Sequence, residues 1–132
     1  MGQLMSVYSF DYSDIYTPPA PILELGVSKT AGTSELLISA LVDSGADATM
    51  LPLSILQQIG ARFVETRQMR GVTGVAQKVD CYRVTVRIGS QVIPGIRAIA
   101  TTSSQEAIIG RDVLNQLVVT LNGLAQVVEI MA

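Results

Sequence analysis

The stretch LVDSGADATMLP (residues 41–52) places one carboxylate, Asp43, at the end of an apolar run of β-formers that starts at Leu36-Leu37-Ile38. An ionised carboxylate delivered by an apolar strand is costly unless it is hydrogen-bonded or opens onto a cleft. The residues that follow, Ser44-Gly45-Ala46, are small, so other groups can approach closely. Alone, Asp-Ser-Gly is good turn chemistry, in which the Asp oxygen accepts from backbone N–H groups just ahead. Two readings therefore stand: an ordinary turn, or a reactive carboxylate at the mouth of a cleft.

The composition narrows the chemistry. At 132 residues the chain is one domain, since domains commonly run ~100–200 residues, and it can bury roughly two thirds of its unfolded surface. Hydrophobic residues are 48% and charged residues 15%, too apolar for disorder and lean enough in charge to suggest apolar area buried against a partner. The net charge of −2 comes without any run of like charges, so neither a nucleic acid nor a membrane is expected as a partner. There is no histidine, which removes Ser-His and Cys-His triads and every histidine-ligated metal site. Cys81 is the single cysteine, so no internal disulfide or thiolate cluster can form, and a reducing, cytoplasmic location is expected. No apolar stretch reaches the ~18–20 residues of a membrane-spanning helix. Carboxylates, Ser, Thr, Lys and Arg remain for chemistry, with no cofactor and no metal expected.

Along the chain, residues 1–21 read as a mostly irregular arm ending in Pro18-Pro19-Ala20-Pro21, and residues 22–132 as the domain. Tyr8, Tyr12 and Tyr16 recur every four residues, suited to an arm packed over the domain. The arm's first 17 residues are expected to be loosely docked and open to autocatalytic trimming. Ile22–Val27 and Ser34–Val42 read as strands joined by a polar turn at Lys29–Thr33. Pro52 starts a short helix that Gly60 stops. Arg62–Arg67 reads as a strand and residues 69–77 as a Gly-punctuated hairpin tip. Tyr82, Val84, Val86 and Ile88 alternate with polar residues and Gly, as in a half-buried strand that turns at Gly89-Ser90 into Gln91–Ala100. An apolar strand end and a short helix follow in EAIIGRDVLNQL (106–117), and a hairpin around Gly123 closes the chain. Many short strands with one or two short helices predict an all-β, closed or sandwich-like domain.

Three ordered landmarks resemble the retropepsin-like aspartic proteases: Asp43-Ser44-Gly45-Ala46 after apolar residues, a Gly-rich hairpin, and Ile108-Ile109-Gly110-Arg111-Asp112. The resemblance spans roughly residues 22–122 and is closest to the stand-alone bacterial members, as expected for a chain that opens on Met and carries its own arm. It implies a single-domain acid-protease barrel with a flap hairpin, functional as a homodimer that cleaves protein or peptide substrates. Asp43 would be the catalytic carboxylate on a turn permitted by Gly45, with Ser44 bracing the two Asp43 loops across the dimer. Two such carboxylates about 3 Å apart cannot both ionise, and so share one proton, as is general for aspartic proteases. Ala46, Asp47, Ala48, Gly71, Val72, Thr73 and Ile109 would contact substrate, with Val72, Ile99, Ile108 and Ile109 as apolar lining. Gly110 would let its strand pass close behind the Asp43 loop, and Arg111 would pair with Asp47.

Against each role stands a plainer one. Ser44 could cap its own turn, Asp47 and Arg111 could be an ordinary surface pair, and Gly71 to Gly74 simply a tight hairpin turn. Cys81 is expected to be a small packing residue. The chain departs from retroviral relatives by continuing past Thr120-Leu121-Asn122 into LAQVVEIMA (124–132), so their dimer interface does not carry over. A binding or assembly module on the same fold is the second reading, because fold does not guarantee activity.

Overall fold

The structure, a computed structural model, describes residues 6–71 and 73–131. Its strands are β1 (Val7–Asp11), β2 (Ile22–Ser28), β3 (Leu36–Val42), β4 (Met50–Pro52), β5 (Arg62–Arg70), β6 (Ala76–Ile88), β7 (Gln91–Thr101), β8 (Ala107–Ile109), β9 (Val118–Asn122) and β10 (Val127–Met131). Two short helices interrupt them, α1 (Leu53–Gln58) and α2 (Arg111–Leu114).

The larger sheet runs β2-β3-β8-β4-β7-β6-β5, and β2 also pairs with β6. Six strands thereby close into a barrel, while β5 continues outward from β6 as one arm of a long hairpin. Closure removes the sheet edges that would otherwise invite pairing with other chains. The barrel is filled as the alternation predicts: Val84, Val86 and Ile88 of β6 join Leu23, Leu25 and Val27 of β2 in one core cluster. A bulge between Val84 and Val86 faces Pro94-Gly95 of β7, the kind of site where a strand tolerates proline. Helix α1 ends as expected, with Gly60 at a left-handed φ of 71°.

A second, three-stranded sheet of order β1-β10-β9 covers the barrel. It corrects the reading of residues 1–21 as a mostly irregular arm. β1 pairs with β10 from Val7↔Met131 to Asp11↔Val127, and Tyr8 and Phe10 pack against the main core. The period of four in the tyrosines concealed the period of two in Val7-Tyr8-Ser9-Phe10-Asp11, which a strand needs. Tyr8 lies over Gly89, whose φ is +59° and where a Cβ would find no room. Beyond β1, Ser13 and Ala20 exchange two backbone hydrogen bonds of 2.9 and 3.1 Å. The Tyr16 hydroxyl donates to Glu106 at 2.5 Å, and that bond, more than burial, raises the phenol's pKa. β1, Ser13 and Tyr16 are therefore tied down, and trimming within Val7–Asp11 would first require β1 to open, while Ile15, 84% exposed, stays accessible. The first five residues lie outside the described residues.

The closing hairpin is where the sequence placed it, and its strand β10 contributes Val128 and Ile130, both 0% exposed, to the core. Ile130→Ala is accordingly expected to cost about 2–5 kcal/mol, read as a lower denaturant midpoint with an unchanged slope. A cost near zero would mean that the second sheet is a loose cover. Among the described residues, no helix is long and apolar enough to cross a membrane.

Candidate active site

Parallel pairing of β3 with β8, Ala40↔Ala107 to Val42↔Ile109, brings the two sequence landmarks side by side. Val42 donates to the Pro21 carbonyl at 3.0 Å, and Asp43 donates to the Ile109 carbonyl at 3.0 Å. There the strand turns. Gly45 N–H donates to Asp43 Oδ1 at 2.9 Å, and Ala46 N–H to the Asp43 carbonyl at 3.2 Å. The turn reading and the cleft reading are thus compatible. One carboxylate oxygen anchors the turn, while Oδ2 takes no hydrogen bond from any described residue. Asp43 is half-buried, and Ser44 and Gly45 are exposed.

Gly110 passes directly behind this loop. A Cβ built on it would sit 2.6 Å from the Ala48 carbonyl carbon, 2.7 Å from the Ala48 oxygen and 2.9 Å from the Ala46 oxygen. Backbone cannot yield as a side chain can, so only glycine fits. Arg111 then ties the crossing to the loop three times. Its N–H donates to the Ala46 carbonyl at 2.9 Å, Nη1 donates to the Ser44 carbonyl at 2.8 Å, and Nη2 pairs with Asp47 Oδ1. The Asp47 side chain is 87% exposed, so the ion pair itself contributes only ~0–1 kcal/mol. Its effect is geometric, holding the loop against α2.

Thr49 and Asp112 form a second brace that sequence reasoning missed. Thr49 is fully buried, and its N–H reaches the two Asp112 oxygens at 3.0 and 3.1 Å. Its hydroxyl donates to Oδ1 at 2.8 Å, and Val113 N–H adds a bond of 2.9 Å. The available signal was a threonine between Ala48 and Met50, a polar group entering an apolar run. Asp112→Ala should strand the Thr49 N–H and hydroxyl and cost about 1–3 kcal/mol. Thermal melting checks this, and an unchanged melting temperature would overturn it.

An open cleft of about 900 Å³ begins at Gly45, Ala46, Asp47 and Ala48 and runs beneath the β5 arm of the hairpin. Met50, Met69 and Ile99 give it apolar lining, and they belong to a small cluster with Ala48, Cys81 and Val79, separate from the main core. Burial pushes the Cys81 thiol pKa up, as befits a packing residue. At the hairpin tip Gly74 N–H donates to the Gly71 carbonyl at 3.0 Å, and Gly71 and Thr73 are exposed beyond the cleft lining. Val72 lies outside the described residues. Ile109 requires a correction, because its side chain is 0% exposed in the main core and cannot touch a substrate. Strand alternation turns it inward and leaves its half-buried neighbour Ile108 on the other face. Only the Ile109 carbonyl serves the loop. Among the described residues, no three His, Cys, Asp or Glu side chains gather as a metal site.

A closed barrel whose Asp-Ser-Gly loop is crossed by a Gly-Arg helix start, with a long hairpin over the adjoining cleft, defines an aspartic-protease type of domain. Residues 17–122 match the family model described as retroviral aspartyl protease, and the chain belongs to that family. Among solved structures it is similar to a retropepsin-like aspartic protease from Rickettsia conorii, with a TM-score of 0.62 at 12% identity over 99% of this chain and 96% of that one. It is also similar to the EIAV protease in complex with an inhibitor, with a TM-score of 0.57 at 19% identity over 74% of this chain and 86% of that one. No curated protein matches the chain by sequence. Family and fold together support a general aspartic protease function.

Proposed function

We propose that the protein is a homodimeric aspartic endopeptidase in which the Asp43 carboxylates of two chains form one site. The observation that carries this reading is the Asp43 loop itself: a carboxylate with one oxygen anchored by Gly45 N–H and the other unengaged, beside a cleft. One carboxylate would act as base on a bridging water, and the other would donate its proton to the scissile carbonyl oxygen. This path needs no acyl-enzyme, metal or histidine. Ser44 would brace the paired loops. Ala46, Asp47 and Ala48 would meet an extended peptide along its backbone, with Gly71, Val72 and Thr73 as a flap whose glycine allows close approach and movement. Met50, Met69 and Ile99 favour apolar side chains next to the scissile bond. A reducing compartment such as the cytoplasm suits a chain with one buried cysteine.

The test is cleavage of a denatured protein or peptide library, with and without a pepstatin-like statine inhibitor. Cleavage should resist chelators and serine- or cysteine-directed reagents, and should fall on the alkaline side as the shared proton is lost. Loss of activity with a chelator would remove the aspartic mechanism. Saturable peptide binding without turnover would instead mark a binding module.

A further inference from the structure

Three arginines stand directly opposite one another across three strands: Arg62 of β5 faces Arg83 of β6, and Arg83 faces Arg97 of β7. Directly opposed residues have Cβ atoms about 5 Å apart, and like charges placed this way are destabilising. The next row toward the cleft is Glu65, Cys81 and Ile99, and Arg97 itself lines the cleft. The arginine row therefore continues the cleft floor outward, roughly 7 Å further along the strands. Only Glu65 answers it, through one contact of 3.3 Å to Arg97 between side chains that are 41% and 51% exposed. Asp80, the other nearby acid, is one residue from Cys81 on the opposite face, where Thr66 donates to it at 2.7 Å. Arg62 and Arg83 have no carboxylate partner among the described residues. Nothing in the barrel requires this repulsion, since all three side chains are exposed.

We infer that the row receives an acidic segment of the polypeptide substrate, several residues away from the apolar pair at the scissile bond. This rests on the peptide-cleft reading above and adds the substrate class to it. A bound acidic segment would relieve the repulsion as well as gain exposed ion pairs. The chain's net charge of −2 argues against a nucleic acid as the occupant, which calls for a net basic domain.

The test uses two peptides with the same apolar scissile pair, one flanked by a tract of Glu and the other by Gln. Wild type should prefer the Glu peptide about tenfold in kcat/KM, the sum of a few exposed ion pairs, and high salt should shrink that ratio. In Arg62→Gln/Arg83→Gln the ratio should fall toward one, and the melting temperature should not drop, since removing like charges relieves strain in the row. An equal ratio in wild type, or one untouched by the substitutions, overturns the inference while leaving proteolysis standing. If neither peptide is cleaved, the protease reading fails instead. Fluorescence anisotropy of the same labelled peptides then tests the row by itself, and equal binding of Glu and Gln peptides overturns it. A single-stranded oligonucleotide that binds as tightly as the Glu peptide, through the same arginines, also overturns it by making the strip a general polyanion site.

Discussion

An equal mixture of wild type and Asp43→Asn chains, left to exchange subunits freely, is expected to retain about a quarter of the activity per total protein, not half. The physical reason is that the chain supplies one Asp-Ser-Gly loop, whereas the chemistry needs two carboxylates. A two-fold axis between the loops supplies the second from an identical chain. A pair with one Asn keeps a single carboxylate and has no second one to share its proton, so it loses either the base or the acid. Each proton-transfer role contributes roughly 10²–10⁴ in rate, so mixed pairs fall to background and only the wild-type pairs of a random mixture count. Asp43→Asn alone should be at least a hundredfold slower by the same estimate. Sedimentation must confirm that the variant still dimerises and that chains exchange. If half the activity survives proven exchange, each chain works alone and the shared site is wrong.

Gly110→Ala should damage stability and catalysis together. The added Cβ would meet the Ala48 carbonyl at 2.6 and 2.7 Å. The surrounding backbone is held by Arg111 N–H on the Ala46 oxygen at 2.9 Å and by Asp112 on Thr49 at 3.0 Å. The strain comes from space rather than torsion, since Gly110 is extended at φ −95° and ψ −175°. Forced overpacking of this kind costs about 3 kcal/mol, or a fall of roughly 10 °C in melting temperature for a domain of this size. The loop must move to make room, and a 1 Å misplacement of a reacting group can cost about a hundredfold in rate. Gly71→Ala is the control, because a Cβ there meets nothing within 4 Å. It should melt like the wild type. Equal melting of Gly110→Ala and wild type would show that the crossing has slack.

Local chemistry was legible in the sequence. The Asp43 turn, the Gly60 stop, the Gly89-Ser90 turn and the alternation of Val84, Val86 and Ile88 each depend on a few neighbouring residues. Their conformational preferences act wherever the segment lies. The same holds for the two landmarks that parallel pairing later joined. Tertiary structure decided what depends on distant partners. Tyr8 and Phe10 came to pack against the core because β10 offered a free edge, and a four-residue spacing of tyrosines could not announce that. Ile108 and Ile109 are chemically identical, so only the register of β8 against β3 determined that Ile109 turns inward. Thr49 and Asp112 are 63 residues apart, and their brace exists because the Gly110 crossing brings α2 behind the loop. The opposition of Arg62, Arg83 and Arg97 likewise follows from strand register, since side-chain facing has a period of two and pairing alone fixes which charges meet.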